Sequence, residues 1–177
     1  MNINFKAQYI MPATIQKRNK NRYEKHDAGF YKLDPNNKAD KKLITEIAEK
    51  WGKNSYSYNI YDNLYNRGNC HNAKTNVYVM TDSILPAKKL SAGSIIGIAE
   101  LTEKSDIENT LDFIQVKPFV LKTKKYLETG SRMLDIMKCL HFETPLYVCS
   151  DKNARRFYQK NGFQKIPNCR DNYYWMG

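Results

Sequence analysis

One tyrosine near the end of the chain stands where it could do chemistry. Tyr158 lies in the segment ARRFYQKNGF, residues 154–163, four residues before Gly162. The segment is typical of a short helix that ends at this glycine, where the chain can turn into the next strands. A phenol can donate a proton near its unperturbed pKa of about 10. A helix tyrosine can equally be packed in a core, and the residue pattern alone leaves both interpretations open.

A second group of residues lies upstream, where a strand leads through a basic loop into a helix. The strand TLDFIQV (110–116) is followed by KPFVLKTKKYLE and then by TGSRML. The first N–H groups of a helix lack partners, and the helix dipole favours negative charge there. Gly130 permits close approach to the backbone, and Thr129 or Ser131 can cap the helix. The segment therefore predicts an anion site, with added positive charge from Lys122, Lys124 and Lys125.

Four apolar, β-branched runs must position these groups. They are NVYVM (76–80), SIIGIAELT (94–102), TLDFIQV (110–116) and PLYVCS (145–150), and all four predict strands. No helix joins the first three, which predicts antiparallel neighbours, whereas the helix TGSRMLDIMKCLHF makes the fourth strand parallel to the third. FQKI and NYYWM then form a closing hairpin. We predict one α+β domain with a mixed sheet.

The N-terminal half is less specific. NKADKKLITEIAEKWG predicts an amphipathic helix that ends at Gly52. The tyrosine-rich stretch SYSYNIYDNLYNRGNCHN fits both a strand and a helix, and its tyrosines could pack or line a pocket. Residues 1–37 are polar and basic, and we expect an exposed loop or arm there; an arm that binds nucleic acid is the alternative.

The charge and the cysteines limit the class of protein. Lys plus Arg exceeds Asp plus Glu by 11 in 177 residues, which suggests an anionic partner or simply a lysine-rich surface. No run is long enough to span a bilayer and the start does not resemble a signal peptide, so we expect a cytoplasmic protein. The four cysteines and three histidines show no zinc spacing, so we expect no metal and free thiols.

Residues 94–166 resemble the acyl-CoA-binding half of the GNAT superfamily of N-acetyltransferases. One motif is a Val-x-Pro strand end, Val116 to Pro118, followed by a Gln/Arg-x-x-Gly-x-Gly/Ala loop on residues 125–130. The other is a helix matched by Ala154, Phe157, Tyr158, Gly162 and Phe163. The first motif departs from the family pattern in three ways. Lys125 stands for the Gln or Arg, Glu128 replaces the first glycine, and the loop between Pro118 and Gly130 is a few residues longer than usual. A carboxylate beside a pyrophosphate is unfavourable unless it points outward.

The resemblance implies a single GNAT-like domain over residues 1–177, with a V-shaped splay between two central parallel strands. It implies acetyl-CoA as the co-substrate, held in that splay. The cofactor-binding residues that it implies are Gln115, Val116, Lys124, Lys125, Thr129, Gly130, Ser131, Arg132, Asn153 and Arg156.

The resemblance also implies direct attack of a primary amine on the thioester, with Tyr158 protonating the departing thiolate. The base that accepts the ammonium proton is Glu100 or Asp112, with Glu100 slightly favoured. Strand alternation places Asp112 on the face of Ile114 and Val116, opposite Phe113. The identity of the acceptor amine is left open, and so is the oligomeric state, for which a homodimer is one possibility. The alternative function is a non-enzymatic module that binds nucleic acid or CoA through a degenerate site.

Overall fold

The computed structural model describes residues 6–66, 74–105, 108–118 and 125–177. Within these residues the chain forms strands and helices in a mixed α+β order. In chain order these are β1 (Gln8–Asn19), β2 (Arg22–Leu33), α1 (Lys38–Trp51), α2 (Tyr56–Tyr65), β3 (Lys74–Thr81), β4 (Ile95–Ser105), β5 (Glu108–Val116), β6 (Tyr126–Leu127), α3 (Thr129–Leu140), β7 (Leu146–Cys149), α4 (Arg155–Lys160), β8 (Gln164–Lys165) and β9 (Asn172–Trp175).

All the described strands join one sheet in the order β6-β1-β2-β3-β4-β5-β7-β9-β8. The predicted antiparallel neighbours β3, β4 and β5 are confirmed, and so is the parallel pairing of β5 with β7. Every other pair of neighbours in this sheet is antiparallel. The mostly antiparallel mixed sheet flanked by helices confirms the predicted fold class.

The prediction of a loop or arm is wrong for residues 8–33, and residues 1–5 lie outside the described part of the chain. Strands β1 and β2 form a long hairpin that turns between Asn19 and Arg22, and β2 also pairs with β3. The basic residues lie around the exposed tip, whereas Ile15, Ala28 and Phe30 are fully buried farther down. A few apolar residues spaced along a polar segment therefore hold it in the sheet, because burial of one face is enough to fix a strand.

Helices cover both faces of the sheet. The first face buries one side of α1, including Leu43, Ile44 and Ile47, together with Ile60 of α2. The second face packs against α3 and α4. The undecided tyrosine-rich stretch is the helix α2, which begins after Ser55, whose hydroxyl accepts from the N–H of Tyr58. The structure thus follows the helical spacing of the apolar residues in this segment rather than the short strand-like alternation.

A β-bulge in β5 changes the predicted strand faces. Glu100 of β4 is opposite Phe113, but Leu101 is opposite Leu111, so Asp112 is an extra residue. Leu111 packs on the α3 face, and the side chain of Asp112 turns instead to Thr102, on the same face as Glu100. The predicted alternation, with Asp112 beside Ile114 and Val116, is therefore wrong, since a bulge puts two successive side chains on one face.

No helix among the described residues combines the length and apolar character needed to cross a bilayer.

Candidate active site between two splayed strands

The two parallel strands separate soon after they meet. They pair only from Asn109 to Leu111 on β5, opposite Leu146 to Val148 on β7, while β5 continues to Val116. A cavity of about 780 Å³ opens where they separate. Its wall combines residues 112–118 at the end of β5, 126–131 at the start of α3, 149–151 after β7, and three residues of or next to α4. The predicted V-shaped splay is confirmed.

The start of α3 forms one side of this cavity. A Cβ on Gly130 would lie 3.2 Å from a ring carbon of Phe157 and 3.6 Å from a methyl group of Val116. The glycine thus allows α3, α4 and β5 to converge. The N-cap position is Glu128, and no side chain caps the helix. The expectation that Thr129 or Ser131 caps it is wrong, although both lie on the wall. Uncapped N–H groups at a helix start suit an anion.

Glu128 directs its carboxylate along the outside of α3. An oxygen of the carboxylate lies 3.9 Å from Nη2 of Arg132, and both side chains are about half exposed. The backbone of Glu128 has φ of 64°, in the left-handed region that favours glycine. The residue therefore keeps the conformation of the glycine that it replaces. Its charge is shared with Arg132 rather than fully presented to the cavity.

The described basic residues that were predicted to hold phosphates do not line the cavity. Arg132 is paired with Glu128 and Asp135 on the flank of α3. Lys125 is exposed, and its carbonyl accepts a 2.8 Å hydrogen bond from the N–H of Arg18. Asn153 and Arg156 are exposed near α4. Lys122 and Lys124 lie outside the described residues. The assignment of these cations to a cofactor stays a prediction.

Tyr158 lies on the wall, on the helix predicted to carry it. It is 6% exposed and makes edge-to-face contacts with Phe157 and Phe163. Its hydroxyl makes no hydrogen bond to the described part of the chain, although the ring is in the core. Burial raises the pKa of this phenol, and the charges of Tyr56, Asp151 and Cys149 raise it further. Tyr158 therefore keeps its proton at neutral pH.

The two candidate bases, Glu100 and Asp112, differ in whether they line the cavity. Glu100 is 3% exposed, accepts a 3.3 Å hydrogen bond from Nδ2 of Asn63, and is not on the wall. Burial, and next the charge of Asp112, raises the pKa of Glu100 to about 8. Asp112 is on the wall and accepts a 2.6 Å hydrogen bond from the hydroxyl of Thr102. Burial raises the pKa of Asp112 as well.

The first turn of α2 reaches across the splay. The hydroxyl of Tyr56 donates to the carboxylate of Asp151, and the ring of Tyr56 stacks on Phe113 at 5.8 Å between centroids. This hydrogen bond is the largest cause of the lowered pKa of Asp151. It is also the largest cause of the raised pKa of Tyr56. Tyr56 thus lines the cavity, one of the two alternatives for the tyrosine-rich stretch.

Asp151 also accepts from the N–H groups of Asn153 and Ala154, just before α4 begins at Arg155. Gly162 ends α4 with φ of 82°, as predicted. The contact between Tyr56 and Asp151 had no signal in the sequence, because the two residues are 95 positions apart.

Together these features form the mixed α+β fold that the resemblance implies, with its cavity at the splayed pair. No protein-family model matches the chain, and no curated protein matches it. Among solved structures, Tetrahymena GCN5 aligns with a TM-score of 0.46 and 15% identity over 75% of this chain and 82% of that chain. The N-acetyltransferase PseH of Campylobacter jejuni aligns with a TM-score of 0.44 and 19% identity over 75% and 86%.

Proposed function

We propose that the protein is an acetyl-CoA-dependent N-acetyltransferase that acts on a primary amine. The observation that carries this proposal is the hydroxyl of Tyr158. It lies at the wall of a cavity between splayed parallel strands, protonated and without a partner in the described residues. A hydroxyl that lines a cavity without such a partner is available to donate a hydrogen bond to a bound reactant.

The chemistry of the wall fits acetyl-CoA. The uncapped start of α3 suits the pyrophosphate, and Gly130 leaves room beside Val116 and Phe157. In this proposal, backbone groups near Gln115 and Val116 polarise the thioester carbonyl. The assignment is supported by the end of the β5–β7 pairing before this part of β5. Lys125, Arg132, Asn153 and Arg156 are outside the cavity wall and remain candidates for the nucleotide end. The co-substrate supplies the acetyl group as a thioester.

In the proposed reaction the amine nitrogen, once deprotonated, forms a bond to the acetyl carbonyl carbon. The carbon–sulfur bond then breaks, and the thiolate takes its proton from Tyr158. The nitrogen of the new amide releases its second proton, which returns the phenolate of Tyr158 to its neutral form. Glu100 accepts the proton that the ammonium loses, through a water because Glu100 is not on the wall. A pKa of about 8 suits a base at neutral to mildly alkaline pH. The net products are the acetamide, CoA and one proton.

A non-enzymatic module remains the alternative, and the net charge of +11 is the feature that favours it. A basic module of this kind would bind nucleic acid or CoA without transferring the acetyl group. The outward path of Glu128 toward Arg132 removes one reason to regard the cofactor site as degenerate.

Two measurements test the proposed function. Acetyl-CoA at about 100 times its dissociation constant should stabilise the folded protein by about 2.7 kcal/mol, which a thermal melt detects. Free thiol should then appear when a panel of amines is added, and this release should need Tyr158. Absence of both stabilisation and thiol release would exclude the proposed acetyltransferase function. Stabilisation without thiol release from any amine would favour the non-enzymatic module.

A further inference from the structure

We propose that the acceptor is a short amine with a second positive charge, and that Asp112 binds this second charge. The inference rests on the proposed acetyl transfer and names the class of its acceptor. It concerns the part of the cavity on the face of the sheet that carries α2, where Asp112, Phe113 and Tyr56 lie on the wall.

The carboxylates on this face lack cationic partners. Asp112 is bonded to the hydroxyl of Thr102, and Glu100 to the amide of Asn63; neither has an ion pair within the described residues. Lys104 is the cation that acts on Asp112, but its ammonium lies 3.4 Å from the carboxylate of Glu108. A half-buried carboxylate held only by neutral donors leaves much of its charge uncompensated.

The cavity wall is acidic although the chain is strongly basic. Its carboxylates are Asp112, Glu128 and Asp151, and its one basic side chain among the described residues is Lys117. The ammonium of Lys117 donates a 3.0 Å hydrogen bond to the carbonyl of Gly93. Glu128 shares its charge with Arg132, and Asp151 accepts from Tyr56, so Asp112 is the wall carboxylate left to attract a cationic acceptor.

Aromatic rings complete this part of the wall. Tyr56 and Phe113 are stacked, and the ring of Tyr56 is partly exposed. The faces of such rings attract ammonium groups, more strongly when water is partly excluded. Tyr158, whose hydroxyl is assigned to the departing thiolate, lines the same cavity from the α4 side.

A second charge on the acceptor would pair with Asp112 during the reaction. The attacking nitrogen is neutral at the moment of attack, so a simple amine would leave Asp112 uncompensated in the reactive complex. A second ammonium keeps that carboxylate paired before and after transfer. Asp112 lies three residues before Gln115, roughly 10 Å along the strand at about 3.4 Å per residue. A short flexible chain can reach from one to the other.

The test compares three acceptors of equal chain length: 1,5-diaminopentane, pentylamine and 5-aminopentanoate. They differ only in a distal positive, neutral or negative group. We expect kcat/KM to fall in that order, with at least a roughly tenfold advantage of the diamine over pentylamine, equivalent to about 1.4 kcal/mol. Asp112→Asn should reduce this ratio to about threefold or less. Glu49→Gln, which removes an exposed carboxylate on α1, should leave the ratio unchanged.

The outcomes separate the inference from the function. If pentylamine or 5-aminopentanoate is the best acceptor, or if Asp112→Asn keeps the diamine advantage, the inference fails and acetyl transfer stands. If acetyl-CoA stabilises the protein but none of the three amines releases thiol or raises the melting temperature further, the inference also fails. If acetyl-CoA neither binds nor reacts, the proposed function fails first.

Discussion

The backbone N–H of Ser57 donates a 2.8 Å hydrogen bond to Oε1 of Gln115. This contact fastens the first turn of α2 to the end of β5, where that strand has already left β7. The side chain of Gln115 thus holds the acceptor-side helix, while its backbone faces the place proposed for the thioester. Under the proposed function, movement of α2 and alignment of the thioester would be coupled through this one residue.

Replacement of Gln115 by Ala should loosen this junction. The N–H of Ser57 loses its acceptor in a buried place, which should cost about 1–2 kcal/mol of unfolding free energy. Acetyl transfer should fall as well, because the backbone of β5 is no longer held against α2. Chemical denaturation and kcat/KM measure the two effects. Gln159→Ala, at an exposed position on α4, is the control; equal effects of both variants would contradict the coupling.

Tyr158→Phe should separate chemistry from packing. The hydroxyl has no partner in the described residues, so its loss should change the melting temperature little. Loss of the proton donor should lower kcat by about 10²–10⁴-fold. Tyr173→Phe is the matched control, because Tyr173 is a buried tyrosine of the same core cluster that does not line the cavity. Unfolding of the Tyr158 variant, or unchanged kcat, would assign this residue to packing.

Glu100→Gln should stabilise the protein in a pH-dependent way. The folded-state pKa is about 8, above the ordinary value of 4.5, so folding favours the protonated form. Native stability is then lost as pH rises from about 4.5 to about 8, and the loss stays constant above that. Gln keeps the bond from Asn63 and carries no charge. The melting temperature of the variant should match wild type near pH 4 and exceed it at pH 8; a constant difference would contradict the raised pKa.

The same pKa predicts the pH dependence of catalysis. If Glu100 is the base, kcat/KM of the wild type should rise with pH and level off above about 8. Glu100→Gln should be slow and should lose this rise. A variant that keeps both the wild-type rate and the wild-type profile would exclude Glu100 and leave Asp112 as the candidate base.

Glu128→Gly should improve both stability and cofactor binding. The left-handed backbone at this position costs a non-glycine residue about 1 kcal/mol, offset in part by the greater freedom of glycine in the unfolded chain. Removal of a carboxylate from the cavity wall should also tighten acetyl-CoA binding, most clearly at low salt. Lys20→Gly, at another left-handed position on the β1–β2 turn, should affect stability only. Weaker acetyl-CoA binding by the Glu128 variant would mean that its pairing with Arg132 organises the site.

The local parts of the site could be predicted from the sequence. The helix that carries Tyr158, the glycine at its end and the strand before α3 follow from periodicity and turn residues within short segments. The splay followed from the resemblance. These features depend on neighbouring residues, which is where sequence patterns are most informative.

Other features depend on residues that meet only in the fold. The face of Asp112 is set by a bulge against β4, and strand alternation alone points to the opposite face. The bond from Tyr56 to Asp151 depends on how α2 crosses the sheet. The first hairpin was missed because its buried face consists of a few residues in a charged segment. Pairing partners distant in sequence decide each of these cases.

The pairing of β6 with β1 has a consequence for how the protein folds. Lys17 pairs with Tyr126 and Gln16 with Leu127, so the residues just before α3 are held by the N-terminal hairpin. Closing a chain segment of this length is entropically costly, and contacts between distant residues form slowly. We therefore expect the end of the cavity at the start of α3 to be among the last regions to order during refolding, after the first strand has formed.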